Sequence, residues 1–136
     1  MKSATIFMDG QPIGKGRPRF TRIGRVYTPE KTRKFEHKLA AIASNYMMLH
    51  KLEPTDRPCS MVIEARFEIP KSWAKKKRLA AERNEIFPGR PDIDNVAKIA
   101  LDSLNGVVFE DDDQVYDLFV DKRYSLEPHL MITVSW

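Results

Sequence analysis

Arg90–Gln114 reads RPDIDNVAKIALDSLNGVVFEDDDQ. Val96, Ile99, Ala100 and Leu104 recur at helical spacing, so Asn95 to Leu104 reads as a helix with one apolar stripe. Asp94 or Asn95 can cap its start, and Asn105-Gly106 is a stop signal. Acids crowd both ends of this segment. Of the chain's 19 acidic residues, seven lie here: Asp92, Asp94, Asp102, Glu110, Asp111, Asp112 and Asp113. After Pro91 the backbone is expected to be extended, which lets Asp92 and Asp94 present their carboxylates on one side. An N-cap accounts for one of them and not for both. A ten-residue helix spans only about 15 Å, so the chain can fold back and bring the EDDD run to the first pair. Like charges repel, so a fold that gathers them usually has a cation to hold.

Outward from this segment, the rest of the chain supplies a small domain. Ala4 to Asp9 reads as a strand, followed by a loop carrying Gly10, Pro12, Gly14 and Gly16. Thr28 to Lys51 reads as the longest helix, with Thr28 as N-cap, Pro29 at the first helical position, and Phe35, Leu39, Ile42, Tyr46 and Leu49 toward the core. Ser60 to Pro70 alternates, which places Ile63, Ala65, Phe67 and Ile69 on one face. Ser72 is positioned to cap a short basic helix reaching about Arg83. Gln114 to Tyr124 and His129 to Trp136 read as the last two strands. The expectation is one domain over 1–136, an α/β (α+β) fold with a mixed β-sheet and flanking helices.

Composition narrows the class. The 136 residues are 42% hydrophobic and 31% charged, as in a soluble globular protein, and no apolar run approaches a membrane span of roughly 18 residues. The N-terminus lacks the long apolar stretch of a signal peptide, and the single Cys59 has no internal disulfide partner; a reducing, cytoplasmic setting is expected. The net charge of +4 is unevenly spread. Lys15, Arg17, Arg19, Arg22 and Arg25 lie in an acid-free run, as do Lys71, Lys75, Lys76, Lys77 and Arg78. Acid-free basic runs beside a carboxylate cluster suggest a polyanionic partner and a metal site next to it. Hard cations such as Mg²⁺ take oxygen ligands, often only one to three carboxylates, and leave room for water and phosphate; that is the inventory of a phosphodiester-cleaving site.

Other motifs fail on spacing. Asp92 to Ala97 does not supply the D-x-[DN]-x-[DN]-G of a calcium loop, and Gly10 to Gly16 misses the phosphate-loop spacing by one residue and lacks its Ser/Thr. His37, His50 and His129 have no ligand spacing.

RPDIDNVAKIALDSLNG, followed by VFEDDDQV, closely resembles the signature of the RusA-type Holliday junction resolvases. Asp92, Asp94, Asn95 and Lys98 fall on its first group; Asp111, Asp112, Gln114 and Val115 fall on its second. PIGKGRPRF and PKSWAKKKR also look like segments of one branch of that family, and the likeness runs from about Pro12 to Val120. It implies a RusA-like fold and a small homodimeric, Mg²⁺-dependent crossover junction endodeoxyribonuclease, with Mn²⁺ as an alternative ion. Such an enzyme resolves four-way DNA junctions in recombination and repair and is common in phage-derived regions. Carried over by position, Asp92, Asp94 and Asp112 are the metal-binding and catalytic candidates, Asp111 is a neighbouring acid able to share the metal, and Lys98 is the essential lysine. The ordinary alternative for Lys98 is an i,i+4 pair with Asp94 or Asp102, worth roughly 0.2–0.5 kcal/mol. Asp102 is expected to pair on the helix surface. Lys15, Arg17, Arg19, Arg22, Lys75, Lys76 and Lys77 are the expected DNA contacts, with Phe20 either a wedge at the branch point or a loop anchor. Two competing functions remain: a non-catalytic structure-selective DNA-binding protein, and a nucleotide phosphohydrolase.

Overall fold

The computed structural model describes every residue except Arg17 and Pro18, with Arg19 described by its backbone only. Four strands form one mixed sheet in the order β1-β6-β4-β5: β1 is Ser3–Asp9, β4 Cys59–Glu68, β5 Val115–Ser125 and β6 His129–Ser135. β6 runs antiparallel to both β1 and β4, whereas β5 runs parallel to β4. A parallel neighbour requires a long crossover. Here it carries two helices, α2 (Lys75–Glu82) and α3 (Ile93–Leu104). The remaining helix, α1 (Glu30–Leu49), joins a two-residue hairpin, β2 (Arg19–Phe20) with β3 (Val26–Tyr27), to β4.

Alternation along the strands decides the layers. Ala4, Ile6 and Met8 of β1, Met61, Ile63, Ala65 and Phe67 of β4, and Leu130, Ile132 and Val134 of β6 all point to one buried face. α1 and α3 cover it through Leu39, Ala43 and Met47 from one helix and Val96, Ala100 and Leu104 from the other. Ile99 has no exposed surface, so its truncation to Ala should cost about 2–5 kcal/mol. The opposite sheet face carries Phe7, Val62 and Phe119, all exposed.

The observed elements shift several sequence expectations. α1 starts at Glu30, and Pro29, not Thr28, holds the capping position. Leu49 is exposed, because the buried line runs in steps of four through Leu39, Ala43 and Met47 and leaves Leu49 on the far side. α2 begins at Lys75 behind Ala74, so Ser72 does not cap it. Trp73 anchors that helix instead: its ring meets Tyr124 edge-on, with centroids 5.3 Å apart, and Lys77 Nζ lies 3.9 Å above it. α3 ends as expected, at Asn105 with Gly106 at a φ of 78°.

Candidate functional site

α3 starts two residues earlier than its apolar stripe suggests. Asp92 takes the capping position without making a side-chain cap bond, and Asp94 stands in the first turn. This corrects the assignment of the cap to Asp94 or Asn95 and the extended reading of Ile93 and Asp94, which already belong to the helix, while Asp92 itself is extended as expected. Asp92 lines an open cleft between the start of α3, the Gln11–Gly16 arm and α1. Asp94 shares a helix face with Lys98 and Asp102, four and eight residues on, and its Oδ1 accepts the N–H of Asn95 at 3.0 Å.

The second acidic group is held by Gln114. Its Nε2 donates to the carbonyls of Thr55 (2.8 Å) and Arg57 (2.9 Å), and its Oε1 accepts the N–H of Asp111 at 2.8 Å. A 3₁₀ turn at Asp112–Gln114 is thereby stapled to the loop before β4. The turn brings Asp112 to α3, where the charges of Lys98 and Asp102 both bear on its carboxyl. Desolvation, and then the adjacent Asp111 carboxyl, push Asp112 above the usual carboxylate range, while Lys98 opposes them.

Lys98 Nζ donates to Asp102 Oδ1 at 2.8 Å. The other Asp102 oxygen lies 3.1 Å from Lys15 Nζ, which also donates to Glu36 of α1 at 2.9 Å. Burial alone would raise the Asp102 carboxyl, but the hydrogen bonds from Lys98 and Lys15 outweigh it and leave Asp102 below its ordinary value. Burial would likewise lower Lys15, and its bonds to Glu36 and Asp102 raise it instead. Lys15, expected among the DNA contacts, is therefore turned inward: its side chain is 20% exposed and its ammonium is shared by two carboxylates. Its backbone N–H donates to the carbonyl of Asn95 at 2.8 Å, which docks the arm on the first turn of α3. Gly14 makes that approach possible, since a Cβ there would stand 2.6 Å from Cβ of Pro91 and 3.0 Å from that of Asn95.

The other basic candidates are spread over the surface. Arg17 lies outside the described residues. Arg19 belongs to β2, and Arg22 is exposed in the turn between β2 and β3. Phe20 is 72% exposed on that hairpin, so it anchors no core. Lys75, Lys76 and Lys77 are exposed on α2.

Sequence reading passes over three basic residues. Lys31 and Arg90 line the same cleft as Asp92. Lys122 of β5 donates to the carbonyls of Gly89 (2.6 Å), Pro91 (2.9 Å) and Pro88 (3.4 Å), which fixes the segment that delivers Asp92. Arg90 has a signal in its place beside the acidic motif. Lys122 has none, because its partners are backbone carbonyls more than thirty residues away.

Among the described residues, no group of three or more His, Cys, Asp or Glu side chains converges as if to hold an ion. The donor chemistry nevertheless fits a hard divalent cation. Asp111 and Asp112 are neighbouring carboxylates under mutual repulsion, and Mg²⁺ is commonly held through one or two carboxylates together with substrate phosphate. No helix among the described residues is long and apolar enough to cross a membrane.

The chain is 37% identical over 132 residues to "Uncharacterized protein YqaN" of Bacillus subtilis (strain 168), covering 92% of this chain and 90% of that one. Residues 9–135 match the family described as endodeoxyribonuclease RusA, a span that takes in the arm, the acids of α3 and the Gln114 turn together. By that match, the chain belongs to the RusA endodeoxyribonuclease family.

Proposed function

We propose that this chain is a divalent-metal-dependent endodeoxyribonuclease that resolves four-way DNA junctions by paired, symmetric nicks, in the service of recombination and repair. The observation that carries the reading is the family match over residues 9–135, which takes in both acidic groups and Lys98. It is supported by Gln114, whose side chain holds the turn bearing Asp111 and Asp112 against the loop before β4. Asp92, Asp94 and Asp112, with Asp111 beside them, would hold Mg²⁺ or Mn²⁺. Such an ion polarises a phosphoryl oxygen and makes a bound water nucleophilic near neutral pH.

The chain's own residues do the rest. Lys98 presents an ammonium, 55% exposed, to the negative charge that grows on the scissile phosphate. Arg90 and Lys31 offer cations within the cleft that Asp92 lines, and the exposed Arg22, Lys75, Lys76 and Lys77 offer phosphate contacts farther out. Contacts to phosphate and shape suffice to select a branched structure, because they carry no base sequence information.

A second reading, a non-catalytic structure-selective DNA-binding protein, draws on the absence of three converging acids among the described residues. Incubating a labelled four-way junction with the protein in Mg²⁺ and in EDTA separates the two. The proposal expects paired nicks in Mg²⁺ alone. Tight binding with no nicks in any divalent ion would leave the second reading, and turnover of free nucleotides without nicking would replace both.

A further inference from the structure

We propose that Asp102, clamped by Lys15, is a positioning residue that holds the Lys98 ammonium away from Asp94. The inference rests on the proposed nuclease reading and adds to it two residues that the family signature leaves without a role here. Lys98 has two helical partners to choose from: Asp94 one turn before it and Asp102 one turn after. An acid four residues before a lysine is the better arrangement in an isolated helix. The structure has the poorer one, with Lys98 Nζ on Asp102 at 2.8 Å. Local helix physics does not explain that choice, and tertiary structure does. Asp102 is only 22% exposed, and its second oxygen is fixed by Lys15, 3.1 Å away. Lys15 is fixed in turn by Glu36 on α1 and by its backbone bond to Asn95.

Charges therefore alternate along a line from α1 to the surface: Glu36, Lys15, Asp102, Lys98. Only the last is substantially exposed. The consequence is a division of labour on one helix face. Asp94 keeps its carboxylate free of a lysine, and Lys98 keeps its ammonium fixed on Asp102. Without Asp102, Lys98 would fall back on Asp94, neutralising an acid of the site and leaving its own charge misplaced.

Two readouts test this. In protein labelled with ¹⁵N-lysine, the Lys98 Nζ resonance, identified by its loss in Lys98→Arg, should move in both Asp102→Asn and Lys15→Met. Single-turnover nicking of a four-way junction in Mg²⁺ should fall by about 10- to 100-fold in Asp102→Asn, the scale on which residues that orient a site's working groups act. Junction affinity in EDTA should stay within about threefold of wild type, and Asp102→Glu should recover part of the rate. A purely structural role would lower the melting temperature without moving the Lys98 resonance. Lys15→Met keeps the Asp102 carboxylate and removes only its clamp, and covers the case in which Asp102→Asn folds poorly. An unmoved Lys98 resonance, or wild-type nicking by folded Asp102→Asn, overturns the inference. A wild-type protein that binds junctions and never nicks them overturns the functional reading instead, while the resonance still reports whether Asp102 orients Lys98.

Discussion

Asp94 is the residue at which metal binding and folding can be separated. It makes no cap bond, and its one backbone contact is to its neighbour Asn95. Asp94→Asn keeps an acceptor for that N–H and removes the charge a cation needs. Nicking should fall by about 100-fold or more, the upper range for a damaged metal site. Junction binding in EDTA should persist or tighten, because a negative charge facing phosphates has gone. Wild-type nicking by the folded variant would take Asp94 out of the site. Asp102 and Lys15 carry a second prediction, about pH. Asp102 sits below its ordinary value when folded, so its stabilising contribution is present above about pH 4 and is lost as pH falls through the folded value. Lys15 sits above its ordinary value, so its contribution is present below about pH 10 and is lost as pH rises beyond that. Asp102→Asn should therefore flatten the acid limb of a plot of melting temperature against pH and leave the neutral region lower.

Among the elements, α3 and the arm act as one unit, and Gly14 is the joint. Gly14→Ala would set a Cβ 2.6 Å from that of Pro91, so the arm or the first turn of α3 must move. A destabilisation of about 1–3 kcal/mol in denaturant unfolding is expected, as for other overpacked sites. Nicking should be slowed beyond what that destabilisation explains, since the displaced turn carries Asp92 and Asp94. The β2–β3 hairpin should act through charge alone. Arg22→Ala with Arg25→Ala should lower the log–log salt slope of junction binding by up to about 0.9 for each DNA phosphate that is no longer neutralised, and an unchanged slope would show that the hairpin does not touch DNA.

The elements also show where sequence stops being informative. α1, α3, β1, β4 and β6 are legible because each repeats its apolar residues at period 3.6 or 2 for long enough to be read, whereas β5 shows only as an apolar, aromatic run without alternation. The hairpin is not, because its two-residue strands lie among arginine and glycine and offer no alternation. The start of α3 is easily misplaced because the first turn of a helix carries polar residues that look like loop. The candidate acids are legible as a motif. The inward turn of Lys15 is not, because its partners Glu36 and Asp102 come from other elements and only folding brings them together.

For the whole molecule, the count of sites sets the expected assembly. Each chain carries the acidic motif once, with Asp92 and Asp94 at the start of α3 and Asp111 and Asp112 at the Gln114 turn, and the covered sheet face is already filled by α1 and α3. A four-way junction has two-fold symmetry, and its resolution takes two matched cuts on opposed strands. A single site would have to release the junction and rebind it in the reversed orientation between cuts. The nicked intermediate would then accumulate. A two-fold homodimer presents two sites at once from one kind of chain and needs no rebinding. We therefore expect sedimentation at nicking concentrations to give the mass of two chains. We also expect the second nick on a supercoiled cruciform to follow the first before release, yielding linear product without a lag. Mixing wild type with excess inactive Asp94→Asn should convert linear product to singly nicked circles, because most active chains would then sit beside a silent partner. A monomer in the centrifuge that still produced linear molecules without a lag would refute the dimer and leave the composition of the individual site untouched.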